Sequence, residues 1–293
     1  LLIAVKLSYN QAMIKAYVNG KLVLQAEANI SIFDRGFLYG DGAFESLRTY
    51  NKKPFLIDDH LKRLFNTLKL LHIKPDLNQK ELKTAVIKTV SANNFKESYI
   101  KIIVTRGAAK THGLGLKNFK GKANTIIIVE PQPETKIKPW TAIISTITKS
   151  ENPTSYIKSL CYLDNMLAKV EAEQHGADEA FMLDERGNLT EGSVSNIFLI
   201  KFNTVFTPPE ESPILMGITR KQVIKLAKQA GLRMVEKYLT PKDLYNAEEC
   251  FCTLSGQGIV PVTKIWKKKV GDGKVGHVTQ ALMNRYEVET KLA

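Results

Sequence analysis

Alternating apolar and polar positions open the readable part of the chain. AYVNGKLVLQ alternates on both sides of Asn19-Gly20, and an Asn-Gly pair between two such runs is the strongest short hairpin signal. Gly40, Asp41 and Gly42 break the pattern; Phe44, Leu47 and Tyr50 resume it up to a second turn at Asn51 to Pro54. From Asp58 the spacing becomes helical. Leu61, Leu64, Phe65, Leu68 and Leu71 share one stripe, and Asp58 or Asp59 is expected to cap that helix. A second helix is expected over Gln79 to Asn93. SYIKIIVT then reads as a strand, with Tyr99, Lys101 and Ile103 on one face and Ile100, Ile102 and Val104 on the other. NTIIIVE has the run of a buried strand.

Pro131 to Pro139 holds three prolines in nine residues and reads as a linker. This divides the chain into a domain over 13–130 and another over 140–293. WTAIISTITKS alternates as a strand and leads into SYIKSLCYLDNMLAK, Ser155 to Lys169. There Leu160, Leu163, Met166, Leu167 and Val170 repeat at helical spacing, and the helix is expected to end near Gly176. Lys158 stands where extended chain gives way to helix; on position alone it reads as an ordinary solvated lysine. ADEAFMLDERGNLTEGSVSNIFLIK reads strand, turn at Glu185 to Asn188, short segment, strand. Glu191 sits at its glycine-marked bend, turned inward or left as a loop glutamate in water. Gly217-Ile218-Thr219 opens a helix, where free N–H groups attract anions, or where Thr219 simply caps. CFCTLSGQGIVPV is a strand ending in a Ser255-Gly256 turn, and VGDGKVGH is a polar loop before a last helix.

Composition adds exclusions. The 293 residues are 44% hydrophobic, enough for a real core. The net charge of +13 raises nucleic acid as a partner. Yet the lysines are scattered, the densest run is Lys267 to Lys269, and no nucleic-acid-binding motif appears. The charge reads as a solvated basic surface that favours small anions. No apolar run approaches a membrane span, and the first residues lack the basic start of a signal peptide. Met13 immediately precedes the first strand pattern, so residues 1–12 are expected to be foreign sequence or a misplaced start. Cys161, Cys250 and Cys252 form no C-x-x-C pair, and their odd count points to a reducing, cytoplasmic compartment. His60 beside Asp58 and Asp59, and His175 near Asp178, lack metal-ligand spacing. The glycines of 113–121 form no nucleotide loop. Arg63 reads either as a surface arginine paired with Asp59 or as an inward fork for an anion. Tyr99 and Lys101 read either as a carboxylate pocket or as a rim pair in water.

Taken together and in order, FDRGFLYGDGAFESLR, DDHLKRL, YIKIIVTRG, IKSLCYLDNMLAK, TEGSVSNIF, GITR and FCTLSGQGIVPV change these odds. From about Ile14 to the end the chain resembles the class IV, or fold-type IV, aminotransferases that use pyridoxal 5'-phosphate (PLP). The resemblance implies an α/β (α+β) fold with a small N-terminal α/β domain, a larger C-terminal mixed α/β domain, and PLP between them at the interface of a homodimer or higher homo-oligomer. It implies that Lys158 forms the Schiff base and shuttles the proton, while Glu191 meets the pyridine nitrogen. It also implies that Arg63, Ile218, Thr219 and Ser255 hold the phosphate, and that Tyr162 lies near the phenolic oxygen. Tyr99, Lys101 and Gly256 are implied to bind substrate, with Phe44 and a neighbouring subunit's Tyr39 lining the side-chain pocket. Tyr99-x-Lys101 is similar to the Tyr-x-Arg of branched-chain aminotransferases, with a lysine that keeps the charge and loses the bidentate fork. D-amino acid aminotransferases carry an Arg-x-His pair in the loop that here reads AAKTHG, which keeps His112 alone. Aminodeoxychorismate lyases share the scaffold for elimination. The pattern looks most like the branched-chain type, acting on aliphatic L-amino acids and 2-oxoglutarate.

Overall fold

The computed structural model describes residues 13–109, 113–117, 119, 121–133 and 136–292. The reading of residues 1–12 and of His112 therefore lies outside the described residues. The chain separates into two compact units. One runs to Glu134 and takes in Lys158–Cys161; the other comprises Thr135–Ile157 and Tyr162–Leu292.

Among its described residues the first unit contains a six-stranded sheet. Its strands are β1 (Lys15–Val18), β2 (Lys21–Leu24), β3 (Gly42–Tyr50), β4 (Lys53–Pro54), β5 (Ser98–Thr105) and β6 (Asn124–Pro131), in the order β2-β1-β6-β5-β3-β4. The Asn19-Gly20 hairpin forms as its sequence dictates, with both residues at positive φ (48° and 94°). Helix α1 (Arg35–Tyr39) is capped by Asp34, whose carboxylate accepts from Gly36 and Phe37 N–H. Helices α2 (Ile57–Leu70) and α3 (Gln79–Asn93) bury Leu61, Leu64, Leu68, Leu82 and Val86 against Leu47, Ile100, Ile102 and Ile127 of the sheet. The cap of α2 differs from expectation. Leu56, at φ 51°, takes the N-cap without a side-chain bond, so Asp58 and Asp59 fall in the first turn, where they favour the helix dipole instead.

The second unit contains a nine-stranded sheet among its described residues. Its strands are β7 (Trp140–Lys149), β8 (Glu179–Asp184), β9 (Leu189–Gly192), β10 (Asn196–Lys201), β11 (Thr204–Thr207), β12 (Arg233–Glu236), β13 (Glu249–Leu254), β14 (Gly258–Ile265) and β15 (Lys268–Lys269). The order is β12-β11-β10-β13-β14-β7-β8-β9, with β15 on β14. A pairing of Asn196 with Glu191 joins β10 to β9 and closes part of the sheet on itself. Phe181, Ile197, Leu199, Cys252 and Val262 fill the core beside it. Helices α4 (Leu163–Gln174), α5 (Ile218–Gln229), α6 (Pro241–Tyr245) and α7 (His277–Leu292) complete the unit.

Helix α4 corrects the periodicity reading. It packs through Ala168 and Ala172 against Ile143, Ala180 and Met182. Leu163, Met166, Leu167 and Val170 are 64%, 60%, 45% and 46% exposed, so the apolar stripe points away from the core. Small alanines let the helix approach the sheet closely, and they carry too little side chain to mark the buried face in a hydropathy pattern. Among the described residues no helix is long and apolar enough to cross a membrane.

Leu64 is fully buried in the first unit's core. Leu64→Ala should cost about 2–5 kcal/mol in chemical denaturation; a loss below about 1 kcal/mol would show that the helix does not seat there.

Candidate active site

Lys158 lies in extended chain just ahead of α4, as its sequence position implies. Its segment is stitched to the start of β3. Phe44 N donates to Lys158 O at 3.0 Å, Leu160 N donates to Gly42 O at 3.0 Å, and Ser159 bridges Ala43. Gly42 is required there, since a Cβ would meet Val104 O at 2.6 Å and Leu160 Cδ1 at 2.7 Å. The Lys158 ammonium lies 4.3 Å from the centre of the Phe44 ring, and the Lys101 ammonium 5.1 Å from it. Register explains the grouping: Phe44 pairs with Ile103 and Ser46 with Lys101, so one face carries Phe44, Ser46, Tyr99 and Lys101. The Tyr99 hydroxyl donates to Ser46 Oγ at 2.9 Å.

The opposite face of β3 turns Glu45 toward α2. Its carboxylate is wholly buried and accepts from Arg63 Nε at 2.7 Å, Arg63 Nη2 at 2.8 Å and His60 Nδ1 at 2.7 Å. Arg63 thus turns inward onto Glu45. Asp58 pairs with Lys83. Sequence reasoning missed Glu45; the signal was a lone charge at an inward-facing position of an apolar strand. Burial alone pushes the Glu45 carboxyl up. The Arg63 charge and the hydrogen bonds from Arg63 and His60 outweigh it and hold the carboxyl down at about 2.

Glu191, in the second unit, is buried within β9, just ahead of the glycine-marked bend, and is no loop glutamate in water. Oε1 pairs with Lys149 Nζ at 2.6 Å. Oε2 accepts from Asn196 Nδ2 at 3.1 Å and Leu215 N at 2.9 Å. The bend itself is held by a second buried carboxylate, Glu179. It accepts from Ser193 N at 2.9 Å, from the Ser193 hydroxyl, and from Ser195 Oγ at 2.6 Å.

Helix α5 begins beside this cluster. Its N-cap is Gly217, not Thr219, and no side chain caps it. A Cβ on Gly217 would fall 2.0 Å from Asn196 Oδ1, so the backbone seats directly on the amide that holds Glu191. No side chain caps the first-turn N–H groups of Ile218 and Thr219, a setting in which helix starts favour anions. Across the β10–β13 register Asn196 faces Thr253, whose buried hydroxyl has no hydrogen-bond partner among the described residues. Ser255 and Gly256 form the turn that follows β13. Tyr162 is the N-cap residue of α4, and Asn165 of that helix donates to Ser193 O at 2.7 Å. Tyr39 ends α1 and is 41% exposed, with the Arg35 guanidinium 5.2 Å from its ring centre. Lys149, Asn165, Glu179, Asn196 and Thr253 escaped sequence reasoning, because nothing local separates them from other polar residues on strands and helices.

The fold and these clusters define a family. A family model described as amino-transferase class IV matches residues 42–265, and the chain belongs to that family. A putative branched-chain-amino-acid aminotransferase of Methanocaldococcus jannaschii is 40% identical over 284 residues, covering 94% of this chain and 97% of the relative. A D-alanine aminotransferase of Bacillus licheniformis is 34% identical over 285 residues, covering 94% and 98%. The crystal structure of a branched-chain aminotransferase from Thermoproteus uzoniensis with norvaline superposes with a TM-score of 0.87 at 30% identity, covering 95% of each chain. The protein is a PLP-dependent aminotransferase with the mixed α/β fold of class IV.

Glu45 offers a test by pH. Its folded carboxyl, at about 2, lies below the ordinary value near 4.5. The stability it contributes is thus complete above about 4.5 and is lost as pH falls toward about 2. The stability gap between wild type and Glu45→Gln, from urea unfolding at stepped pH, should narrow across that window. A gap that stays constant would show that the carboxylate is not ionised at the expected cost.

Proposed function

We propose that the enzyme moves an amino group between an aliphatic, branched-chain-type L-amino acid and 2-oxoglutarate. The observation that carries this reading is the setting of Lys158: an apolar Phe44 ring beside its ammonium, with Lys101 over the same ring. That pairs an apolar wall for a side chain with a cation for a carboxylate. The donor set also fits PLP. Its second-unit part combines a buried carboxylate, the uncapped N-terminus of α5 and the unpartnered Thr253 hydroxyl.

Lys158 Nζ would be the atom that holds PLP. Once bound, PLP supplies an electron sink for the charge left when the substrate α-carbon loses its proton. Once the substrate amine has displaced it, the freed Lys158 Nζ would take that proton and return it, as general base and then general acid. Glu191 would meet the ring nitrogen, where a carboxylate favours the protonated form. Arg63, the Ile218 and Thr219 N–H groups and Ser255 would hold the phosphate, and Tyr162 would meet the phenolic oxygen. Glu45 fixes the plane of the Arg63 fork by its bidentate pair. Tyr99, Lys101 and Gly256 bind the substrate carboxylate, and Phe44 with Tyr39 of a second copy walls the side chain. A D-amino acid substrate is the second reading, favoured by the similarity to a D-alanine aminotransferase. The aminodeoxychorismate lyase reaction remains the alternative in a different reaction class. The cysteine usage supports a cytoplasmic location.

The outward apolar stripe of α4 supports assembly into a homodimer or higher homo-oligomer, since four large side chains in one row rarely face water unpartnered.

Wild-type protein with PLP should show a visible or near-ultraviolet band that Lys158→Ala lacks, and L-leucine should convert the band. 2-Oxoglutarate should then yield glutamate. Conversion by D-alanine and not by L-leucine would reject the first reading, and pyruvate release from aminodeoxychorismate would favour the lyase. In sedimentation, Met166→Lys with Val170→Glu should turn a dimer into a monomer; a wild type that already sediments as a fully active monomer would end the assembly claim.

A further inference from the structure

Lys149 closes β7 with its ammonium 2.6 Å from Glu191 Oε1, and the two side chains are 11% and 6% exposed. The other carboxylate oxygen takes Asn196 Nδ2 and Leu215 N. Three donors, from β7, β10 and the segment before α5, thus fix both oxygens and with them the carboxylate plane. Two neutral donors already satisfy Oε2. Burying a whole cation for Oε1 is costly, and a buried pair of this kind is weak as a device for stability alone. Among the described residues the one ion pair of Lys149 is with Glu191. Its charge is therefore devoted to that carboxylate.

We propose that Lys149 is a positioning residue, which orients Glu191 Oε1 toward the ring nitrogen of PLP and balances its charge while PLP is absent. The proposal rests on the reading that Glu191 meets the ring nitrogen. Without Lys149 the carboxylate keeps its burial and loses the donor on Oε1. It relieves that loss by turning aside or by taking a proton. In either form it no longer singles out a protonated ring nitrogen.

The test uses the full chain freed of cofactor, titrated by fluorescence with PLP and with 1-deaza-PLP, which has C–H in place of the ring nitrogen. Wild type should prefer PLP by about tenfold or more, the worth of a charge-assisted hydrogen bond. Glu191→Gln should abolish the preference. Lys149→Met should reduce it to within about threefold, and Lys149→Arg should retain it. A structural role alone would weaken both ligands equally, and that outcome, or an undiminished preference in Lys149→Met, overturns the proposal. Should the methionine variant fail to fold, Lys149→Gln keeps a neutral donor; its preference should fall at least about threefold, and an unchanged one overturns the proposal. If wild type itself shows no preference, the Glu191 reading has failed, and the proposal falls with it.

Discussion

Two backbone hydrogen bonds decide where Lys158 stands. Phe44 N and Leu160 N tie residues 158–160 to the start of β3, although the chain on either side belongs to the second unit. A lysine side chain has four rotatable bonds, and a reactive amine on a mobile loop would sample many positions. Strand pairing removes that freedom at the backbone. The Phe44 ring then gives the ammonium a fixed face to lie on. Gly42 is the residue that makes the pairing sterically open, which gives GDGAFE a physical meaning beyond its turn.

Within each unit, buried carboxylates serve as fixtures. Glu45, Glu179 and Glu191 are each buried, and each is met by several donors from separate elements. Such groups add little net stability compared with apolar packing, because desolvation offsets most of the attraction. They do define direction. Glu45 turns the Arg63 fork, Glu179 shapes the Ser193–Ser195 bend, and Glu191 is itself held in plane. A carboxylate with both oxygens engaged transmits orientation from one strand to the next, which apolar contacts of equal energy do poorly.

The strands and most helix limits were legible because period and turn chemistry are local. Asn19-Gly20, the 98–105 alternation and the glycines near 176 and 256 each act within a few residues. Lys158, Arg63 and Glu191 became legible only as parts of ordered motifs. What stayed hidden was pairing at long range. Glu45 lies 18 residues from Arg63, and Lys149 lies 42 from Glu191. One lysine among so many in a chain of net charge +13 carries no mark of its burial. The capping readings failed for a related reason: Leu56 and Gly217 hold their caps through backbone conformation and packing, so better capping residues nearby were passed over.

The α4 stripe shows the same limit from the other side. Hydropathy spacing finds an apolar face but says nothing of what will cover it. In α4 the buried face is built from alanine, and the bulky face is left outward. A helix that needed only its own sheet would place leucine inward, since each large buried side chain contributes about 1.5–3 kcal/mol. Reversing that economy makes sense if the larger area is reserved for another surface. Close seating on alanine also keeps Asn165 within reach of Ser193 O, so the same small residues that free the stripe bring the helix to the Glu179-held bend beside Glu191.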